Sequence, residues 1–260
     1  MSKFLSVAIQ AAHAAGAIQQ YYRGTELEID TKSSHIDLVT KVDKLCESRI
    51  REIIASHYPD HVVLGEEQGQ EGEADYRWIV DPLDGTLNYA HGFPYYCVSI
   101  ALEHRSEIIL GVVFDSTRNE LYTAVKGEGA FCNGAPLKVS SETTFSKAML
   151  ATGFSYDAVE LQKNLELFAK VHPQVRAIRR PGAAALDMAY IARGHLDAFW
   201  ELTLNPWDVA AGWLLVQEAG GTVTGSQGEP YRLGKQIVLA SNGHLHAKLV
   251  HALGLGETLA

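Results

Sequence analysis

Cysteine is scarce in this chain: only Cys46, Cys97 and Cys132 occur among its 260 residues. Their number is odd, their spacing is wide and no C-x-x-C pair is present, so they provide neither a disulfide framework nor a zinc site. This pattern is typical of proteins from a reducing compartment. We therefore expect a cytoplasmic protein.

Long apolar runs are also missing. No segment approaches the roughly 20 uninterrupted apolar residues of a membrane span. Gln10, His13, Gln19 and Gln20 interrupt the apolar N-terminal stretch, and no cleavage site of small residues follows it. We expect a soluble protein that begins with a helix and has no membrane partner.

Basic residues are outnumbered, since 22 Lys and Arg stand against 31 Asp and Glu and give a net charge of −9. The content of 47% hydrophobic and 20% charged residues is that of a folded globular protein. Acidic chains are poorly suited to non-specific binding of nucleic acid, so no nucleic-acid partner is expected. The negative net charge would also repel a phosphate-bearing ligand, unless cations lie between the protein and the phosphate.

A dinucleotide-binding loop is not found either. Residues 127–137 (GEGAFCNGAPL) contain a G-x-G but lack the third glycine and the strand-then-helix context of that loop. A hairpin rich in Gly and Asn explains this segment better. No internal repeat stands out.

Apolar periodicity predicts alternating helices and strands along the chain. The predicted helices cover residues 4–22, 40–58, 161–171, 183–193, 207–219 and 244–253. The predicted strands cover residues 62–64, 78–80, 96–103, 108–115, 120–125, 149–152, 175–179, 196–200, 222–224 and 236–240. This order suggests two layered α/β lobes, residues 1–145 and 146–260, although no Pro- or Ser-rich linker marks a boundary between them.

The densest acidic chemistry follows the predicted strand at 78–80. Asp81 and Asp84 lie within one tight turn, which Pro82 and Gly85 favour. Carboxylates held so close repel one another, so a proton or a metal ion must compensate. Oxygen ligands without His or Cys suit Mg²⁺, Mn²⁺ or Ca²⁺ rather than zinc.

Each acidic block alone has a simpler explanation. The stretch containing Asp81 and Asp84 can be a loop with Asx turns, and Glu66-Glu67 can be a solvated surface pair. Asp208 can be an ordinary acid in the first turn of a helix. The joint occurrence of these blocks, in this order, is what indicates a common site.

The sequence resembles the inositol monophosphatase family, part of a group of metal-dependent, lithium-sensitive sugar-phosphate and nucleotide phosphatases. The resemblance covers nearly the whole chain and rests on residues 65–67 (GEE), 81–86 (DPLDGT) and 207–212 (WDVAAG), with Lys32, residues 37–40 (DLVT) and Asp43 as a fourth block. It implies an αβαβα sandwich of alternating helix and sheet layers, of the sugar-phosphatase type. It also implies that residues 1–145 bind metal and carry catalysis, whereas residues 146–260 supply substrate contacts and one metal ligand.

The resemblance further implies a set of metal ligands. Glu66, Asp81 and the carbonyl of Leu83 would bind one Mg²⁺, and Asp81, Asp84 and Asp208 a second. A third, weaker ion would depend on Glu66 and water, so two to three ions are expected, with Mn²⁺ as a substitute. Catalytic roles fall to Glu66 and to Thr86 and Asp43, which would orient and help deprotonate the attacking water.

Substrate contacts are implied in both lobes. Gly85 and Thr86 would present N–H groups to the phosphate, beside Asp84 and Asp208. Gly182, Ala183 and Ala184 place small residues at a predicted helix N-terminus, where close helix packing is the alternative reading. Glu201 matches an acid that accepts hydrogen bonds from a polyol; otherwise it is an exposed acid after a strand.

Three further residues are candidates for accessory roles: Lys32, Glu67 and Arg180. Arg179 and Arg180 can receive a second anionic group, as in a bisphosphate substrate. They can also pair with acids in a structural or interface role, which we favour because Arg pairs are commonly ion-paired.

The expected activity is Mg²⁺-dependent hydrolysis of myo-inositol monophosphate, by in-line attack of a metal-activated water without a phospho-enzyme. Fructose-1,6-bisphosphatase, histidinol-phosphate phosphatase and nucleotide 3′-phosphatase activities are alternatives within the same group. A non-catalytic, metal-stabilised interaction module is the alternative from another class. The resemblance also implies a homodimer.

Overall fold

The computed structural model describes residues 2–25, 29–31, 38–234 and 236–255. Lys32 and Asp37, which belong to the fourth motif, lie outside these residues. No helix in the described parts of the chain has the length and apolar character needed to cross a membrane.

All six predicted helices are present, with ends shifted by a few residues. A seventh, the short α3, was not predicted. The seven helices of the described residues are α1 (Ser2–Tyr22), α2 (Lys41–His57), α3 (Thr86–Ala90), α4 (Ala158–Val171), α5 (Ala184–Ala192), α6 (Pro206–Glu218) and α7 (His246–Leu253).

The first half of the chain forms a small two-stranded ribbon and a seven-stranded sheet. The ribbon joins β1 (Ile29–Thr31) to β2 (Leu38–Thr40). The sheet follows chain order through β3 (Val62–Gly65), β4 (Tyr76–Asp84), β5 (Cys97–His104), β6 (Glu107–Asp115), β7 (Glu120–Val125), β8 (Gly129–Cys132) and β9 (Ala135–Pro136). Only β3 and β4 are parallel. The strands β7, β8 and β9 confirm hairpin structure around the glycine-rich segment.

The second half contributes a five-stranded sheet in the order β11-β10-β12-β14-β13. Its strands are β10 (Met149–Thr152), β11 (Ala177–Arg179), β12 (Ala198–Leu204), β13 (Thr222–Thr224) and β14 (Gln236–Ser241). The strand β10 runs parallel to β11 and β12, whereas β14 is antiparallel to β12 and β13.

The helices and sheets alternate in five layers, which confirms the αβαβα sandwich. Helices α1 and α2 cover the outer face of the seven-stranded sheet, α5 and α6 lie between the sheets, and α4 and α7 cover the outer face of the five-stranded sheet. Because α5 is enclosed on both sides, almost every one of its residues is buried. Gly212 lets α6 approach α5 closely, since a Cβ there would lie 2.7 Å from the Cβ of Met188.

Two strands continue further than predicted and thereby position the candidate site. The strand β4 runs on through both acids of its motif, with an irregularity in pairing between Asp81 and Asp84. The strand β12 continues to Leu204, with a second irregularity between Glu201 and Leu204. Both irregular strand ends face one cavity between the sheets.

Candidate active site

One cavity of about 320 Å³ collects nearly all the predicted site residues. Its walls come from the end of β4, the segment after β10, the end of β12 and the N-termini of α5 and α6. The predicted residues that line it are Glu66, Asp81, Leu83, Asp84, Gly85, Thr86, Arg180, Gly182, Ala183, Ala184, Glu201 and Asp208. Asp43 lies behind this wall and is fully buried.

The backbone of the acidic turn is held from two directions. The N–H of Leu83 donates to Asp81 Oδ1 at 2.9 Å, and Gln19 of α1 donates its side-chain amide to the carbonyl of Pro82 at 3.0 Å. Gly85 has a φ of 95°, and a Cβ there would lie 2.9 Å from the carbonyl oxygen of Tyr95. Glycine is therefore required where β4 turns into α3.

Thr86 is tied to the start of α2 through Asp43. Its hydroxyl lies 2.8 Å from Asp43 Oδ1 and 3.0 Å from the carbonyl oxygen of Leu83. Asp43 Oδ2 accepts from the N–H and the hydroxyl of Thr40, at 2.8 and 2.6 Å, which forms the capping box of α2. Burial raises the pKa of Asp43, although the bonds from Thr40 and Thr86 oppose that rise.

Asp84 links strand β4 to helix α5. The N–H of Ala185, in the first turn of α5, donates to Asp84 Oδ2 at 2.8 Å across 101 positions of sequence. Burial raises the pKa of Asp84 to about 7. The hydrogen bond from Ala185 lowers this pKa, whereas the charge of Glu66 raises it further. The N-terminus of α5 thus directs its N–H groups, which have no partner within the helix, at a carboxylate of the site. The sequence did not indicate this contact.

Asp208 belongs to the first turn of α6. Its Oδ2 accepts from the N–H of Asn205 at 2.7 Å in a second capping box. Burial, followed by the charges of Glu66 and Asp84, raises the pKa of Asp208. The pKa of Asp81 is raised well above its usual value by burial first and then by Glu66, Asp84 and Asp208. The four acids are therefore close enough to destabilise one another's charge.

Glu66 lies on a turn that a buried ion pair supports. Glu47 of α2 accepts hydrogen bonds from the N–H groups of Glu67 and Gln68, at 2.7 and 3.1 Å, and pairs with Arg51 Nε at 2.8 Å. A Cβ at Gly65 would lie 2.4 Å from the Glu47 carboxylate, so glycine is needed there. The sequence reasoning missed Glu47; its i,i+4 spacing from Arg51 was the available signal.

Glu201 is a half-buried residue within β12, not an exposed acid after a strand. It lies against Gly153, where a Cβ would meet its carboxylate at 2.1 Å. Burial raises the pKa of Glu201 to about 8, with Arg180 opposing the rise and Asp84 adding to it. Among the accessory candidates, exposed Arg180 lines the cavity, whereas Glu67 belongs to the turn that Glu47 holds.

A second contact between distant parts of the chain was also missed. Asp187 of α5 is buried and accepts a hydrogen bond from the Tyr95 hydroxyl at 2.6 Å. Burial raises the pKa of Asp187, and the charges of Glu201 and Asp84 add to the rise. Asp187 follows the small residues at the start of α5, but an acid in a first helical turn gives no distinctive sequence signal.

The donor chemistry of the cavity fits divalent cations. Four carboxylates converge, and the charge of Glu66 raises the pKa of the other three, Asp81, Asp84 and Asp208. Oxygen ligands are those that Mg²⁺ prefers. Throughout the described ranges, however, no three His, Cys, Asp or Glu side chains are arranged so that they could hold an ion as they stand. Metal binding therefore requires the acidic side chains to adjust, which relief of their mutual repulsion favours.

An αβαβα sandwich with a polar, acidic cavity between its sheets is the architecture of a sugar-phosphatase-type hydrolase. The chain belongs to the inositol monophosphatase family, whose family model matches residues 1–255. It is therefore a phosphatase, which confirms the family and the enzyme class expected from the motifs.

Relatives of known name span almost the full chain. It is 41% identical over 256 residues to the inositol-1-monophosphatase of Synechocystis sp., covering 97% of this chain and 89% of that protein. It is 39% identical to the fructose-1,6-bisphosphatase/inositol-1-monophosphatase of Aquifex aeolicus, with coverages of 95% and 93%. The crystal structure of the extragenic suppressor protein suhB from Bartonella henselae superposes with a TM-score of 0.93 at 37% identity, covering 98% and 100% of the two chains.

Proposed function

We propose that this phosphatase hydrolyses myo-inositol monophosphate to myo-inositol and phosphate, with Mg²⁺ as its cofactor. The observation that carries the proposal is the meeting of four acids, the Thr86–Asp43 pair and Glu201 around one cavity. The name of the Synechocystis relative supports the substrate. Residues 1–145 would bind metal, and residues 146–260 would bind the polyol and provide Asp208.

Two groups of ligands would hold the ions. Glu66, Asp81 and the Leu83 carbonyl form the first, and Asp81, Asp84 and Asp208 the second, with Glu66 contributing to a weaker third. Bound ions supply charge neutralisation for the phosphoryl oxygens and lower the pKa of water. The four carboxylates carry a combined charge of −4 when ionised, so two divalent ions cancel it and a third exceeds it.

Thr86 and Asp43 would orient the attacking water. The Thr86 hydroxyl has one proton, and the Asp43 carboxylate is a stronger acceptor for it than the Leu83 carbonyl. With that proton directed at Asp43, the Thr86 oxygen can only accept, and it would accept a hydrogen bond from water. Because burial raises the pKa of Asp43, this carboxylate is a better base than an exposed aspartate.

The substrate would lie across the cavity. Its phosphate would contact the N–H groups of Gly85 and Thr86, beside the acids, and its hydroxyl groups would contact Glu201 and the backbone of Gly182 and Ala183. A polyol can satisfy a half-buried carboxylate whose neighbours are small residues.

Hydrolysis of a sugar bisphosphate is a second candidate. Arg180 is exposed on the cavity wall and can pair with a second phosphate. The double name of the Aquifex relative supports this candidate. Glu201 nearby favours a neutral polyol instead, because its carboxyl group offers hydrogen-bonding oxygen atoms to hydroxyl groups and no positive charge to a second phosphate.

A substrate panel separates these activities. Phosphate release with Mg²⁺ would be measured for myo-inositol 1-phosphate, fructose 1,6-bisphosphate, histidinol phosphate and a nucleotide 3′-phosphate. We expect the highest kcat/KM for the inositol ester and its loss in a folded Asp84→Asn variant. Preference for another ester would overturn the substrate, and release from none of them would favour a non-catalytic module.

Two expectations rest on the resemblance alone: the protein is expected to be a homodimer and to be inhibited by lithium. Its cysteine content and net charge lead us to expect that it acts in the cytoplasm without a nucleic-acid partner. Light scattering after gel filtration tests the first, and inhibition of phosphate release by Li⁺ tests the second.

A further inference from the structure

A strained residue lies on the substrate side of the cavity. Thr203 has a φ of 58°, in the left-handed region where a β-branched residue is an outlier. It falls in the irregular part of β12, where Glu201 pairs with Val238 and Leu204 pairs with Gln236. Three steps along β12 thus oppose two along β14, which is a β-bulge, and a left-handed bulge position favours glycine.

Contacts within the protein do not explain why a threonine occupies this position. Among the described residues, the hydrogen bond recorded for its hydroxyl is to Ser155 Oγ at 3.5 Å, at the limit of hydrogen-bond length. Both Thr203 and Ser155 line the cavity, and Thr203 is two residues from Glu201. Residues with strained backbone conformations cluster at active sites and at positions that hold ligands.

We propose that Thr203 is a specificity-determining residue whose hydroxyl hydrogen-bonds a hydroxyl group of the polyol beside Glu201. The strained bulge holds Thr203 at the cavity wall, two residues from Glu201. This inference rests on the proposed function, because it assigns a second polyol contact in the same cavity. The ligand chemistry that it requires is a vicinal pair of hydroxyl groups, one for Glu201 and one for Thr203.

Three variants separate the contribution of the Thr203 hydroxyl to substrate binding from the effect of its strained backbone. Thr203→Gly removes both, Thr203→Val removes only the hydroxyl, and Thr203→Ser keeps it. We expect KM for myo-inositol 1-phosphate to rise about fivefold in the Gly and Val variants, the effect of one ordinary hydrogen bond, and to stay within twofold in the Ser variant. The kcat and the inhibition constant of inorganic phosphate should not change, since phosphate binds at the Thr86 end.

Thermal stability provides the independent readout. Thr203→Gly should raise Tm by about 3 °C because it relieves the left-handed strain, whereas Thr203→Val should not raise it. Ser106→Gly is the matched control: Ser106 has a φ of 65° in the exposed turn between β5 and β6, away from the cavity. That variant should leave KM unchanged.

The outcomes are distinguishable from failure of the proposed function. If the wild type prefers another ester of the panel, the substrate proposal fails, and the Thr203 series is run on that ester. If the wild type is active but Thr203→Gly keeps its KM within twofold, or if Val behaves like Ser, the inference is overturned. The inference is also overturned if Thr203→Gly does not raise the Tm. If no ester is hydrolysed, the inference fails together with the proposed function.

Discussion

Two sets of buried carboxylates in this molecule differ in how their charge is compensated. Glu47 and Asp115 are both 0% exposed. Glu47 pairs with Arg51 and accepts two backbone N–H groups, and Asp115 pairs with Arg118 at 2.7 Å and accepts the N–H groups of Thr117 and Arg118. Each of these charges is fully hydrogen-bonded, as stable burial of a charge requires.

Two acids of the cavity, Asp81 and Asp84, are almost as buried, but among the residues that the structure describes neither forms an ion pair with a Lys or Arg. Asp81 is 2% exposed and accepts a hydrogen bond from the N–H of Leu83. Asp84 is 8% exposed and accepts from the N–H of Ala185 and the thiol of Cys97, and the N–H of Ala184 also lowers its pKa. Their pKa values are raised by burial and by neighbouring acids. Similar burial with unequal compensation therefore distinguishes acids that support the fold from the acids that we propose as cation ligands.

Replacing a cavity acid should abolish activity without harming the fold. Asp81→Asn removes the ligand that both ions would share, so we expect kcat to fall on the order of 10³-fold or more. The metal-free Tm should not fall, because a poorly compensated charge is removed. Steady-state phosphate release and thermal melts measure the two effects. A kcat within tenfold of the wild type would remove Asp81 from the metal site.

Asp75→Asn is the matched control for that variant. Asp75 is 64% exposed and pairs with Arg105 at 3.1 Å on the surface of the molecule. An exposed pair contributes little to stability, so both kcat and Tm should stay at their wild-type values.

Replacing a compensated acid should have the opposite effect. Glu47→Gln leaves the Arg51 charge without its buried partner, and we expect the free energy of unfolding to fall by about 3 kcal/mol. Urea denaturation measures it. Glu52→Gln on the same helix is the control, since Glu52 is exposed and pairs with exposed Arg49. If both variants lose the same stability, the distinction between compensated and surface pairs is wrong.

The stability of the metal-free protein should depend on pH in a direction set by the cavity acids. Burial raises the pKa of Asp84 from 3.8 to about 7, so the folded state holds a proton that the unfolded state releases. The stability from this group is present below pH 3.8 and is lost as pH rises through 7. We expect the unfolding free energy of EDTA-treated protein to fall from pH 5 to pH 8.

Two comparisons sharpen the pH measurement. Asp84→Asn should show a shallower slope, because it removes one of the titrating groups. Saturating Mg²⁺ should stabilise the protein most at pH 8, where the acids are ionised and bind cations. A metal-free stability that stays level or rises between pH 5 and pH 8 would contradict this assignment.

The sequence predicted the helices and the acidic motif well, because helical periodicity and the residues around Asp81 and Asp84 are local signals. It also predicted that Thr86 and Asp43 act together, which their 2.8 Å contact now supports. The prediction that the acids follow a strand was incomplete. Whether β4 continues through Pro82 depends on pairing with β5, which a local pattern does not contain.

Contacts between residues far apart in the sequence could not be predicted for the same reason. The bond from Ala185 to Asp84 spans 101 positions, and nothing in either segment specifies the other. Glu47 looks like any acid on an amphipathic helix until the turn that carries Glu66 packs against it. The left-handed φ of Thr203 arises from the bulge between β12 and β14, and threonine gives no sequence signal for such a backbone.

Metal dependence of phosphate release tests the central claim most directly. Protein stripped with EDTA would be assayed with myo-inositol 1-phosphate, before and after titration with Mg²⁺, beside the Asp81→Asn variant. We expect no release from the stripped wild type, full recovery with Mg²⁺, and no recovery in the variant. Undiminished release from the stripped wild type would contradict the central claim.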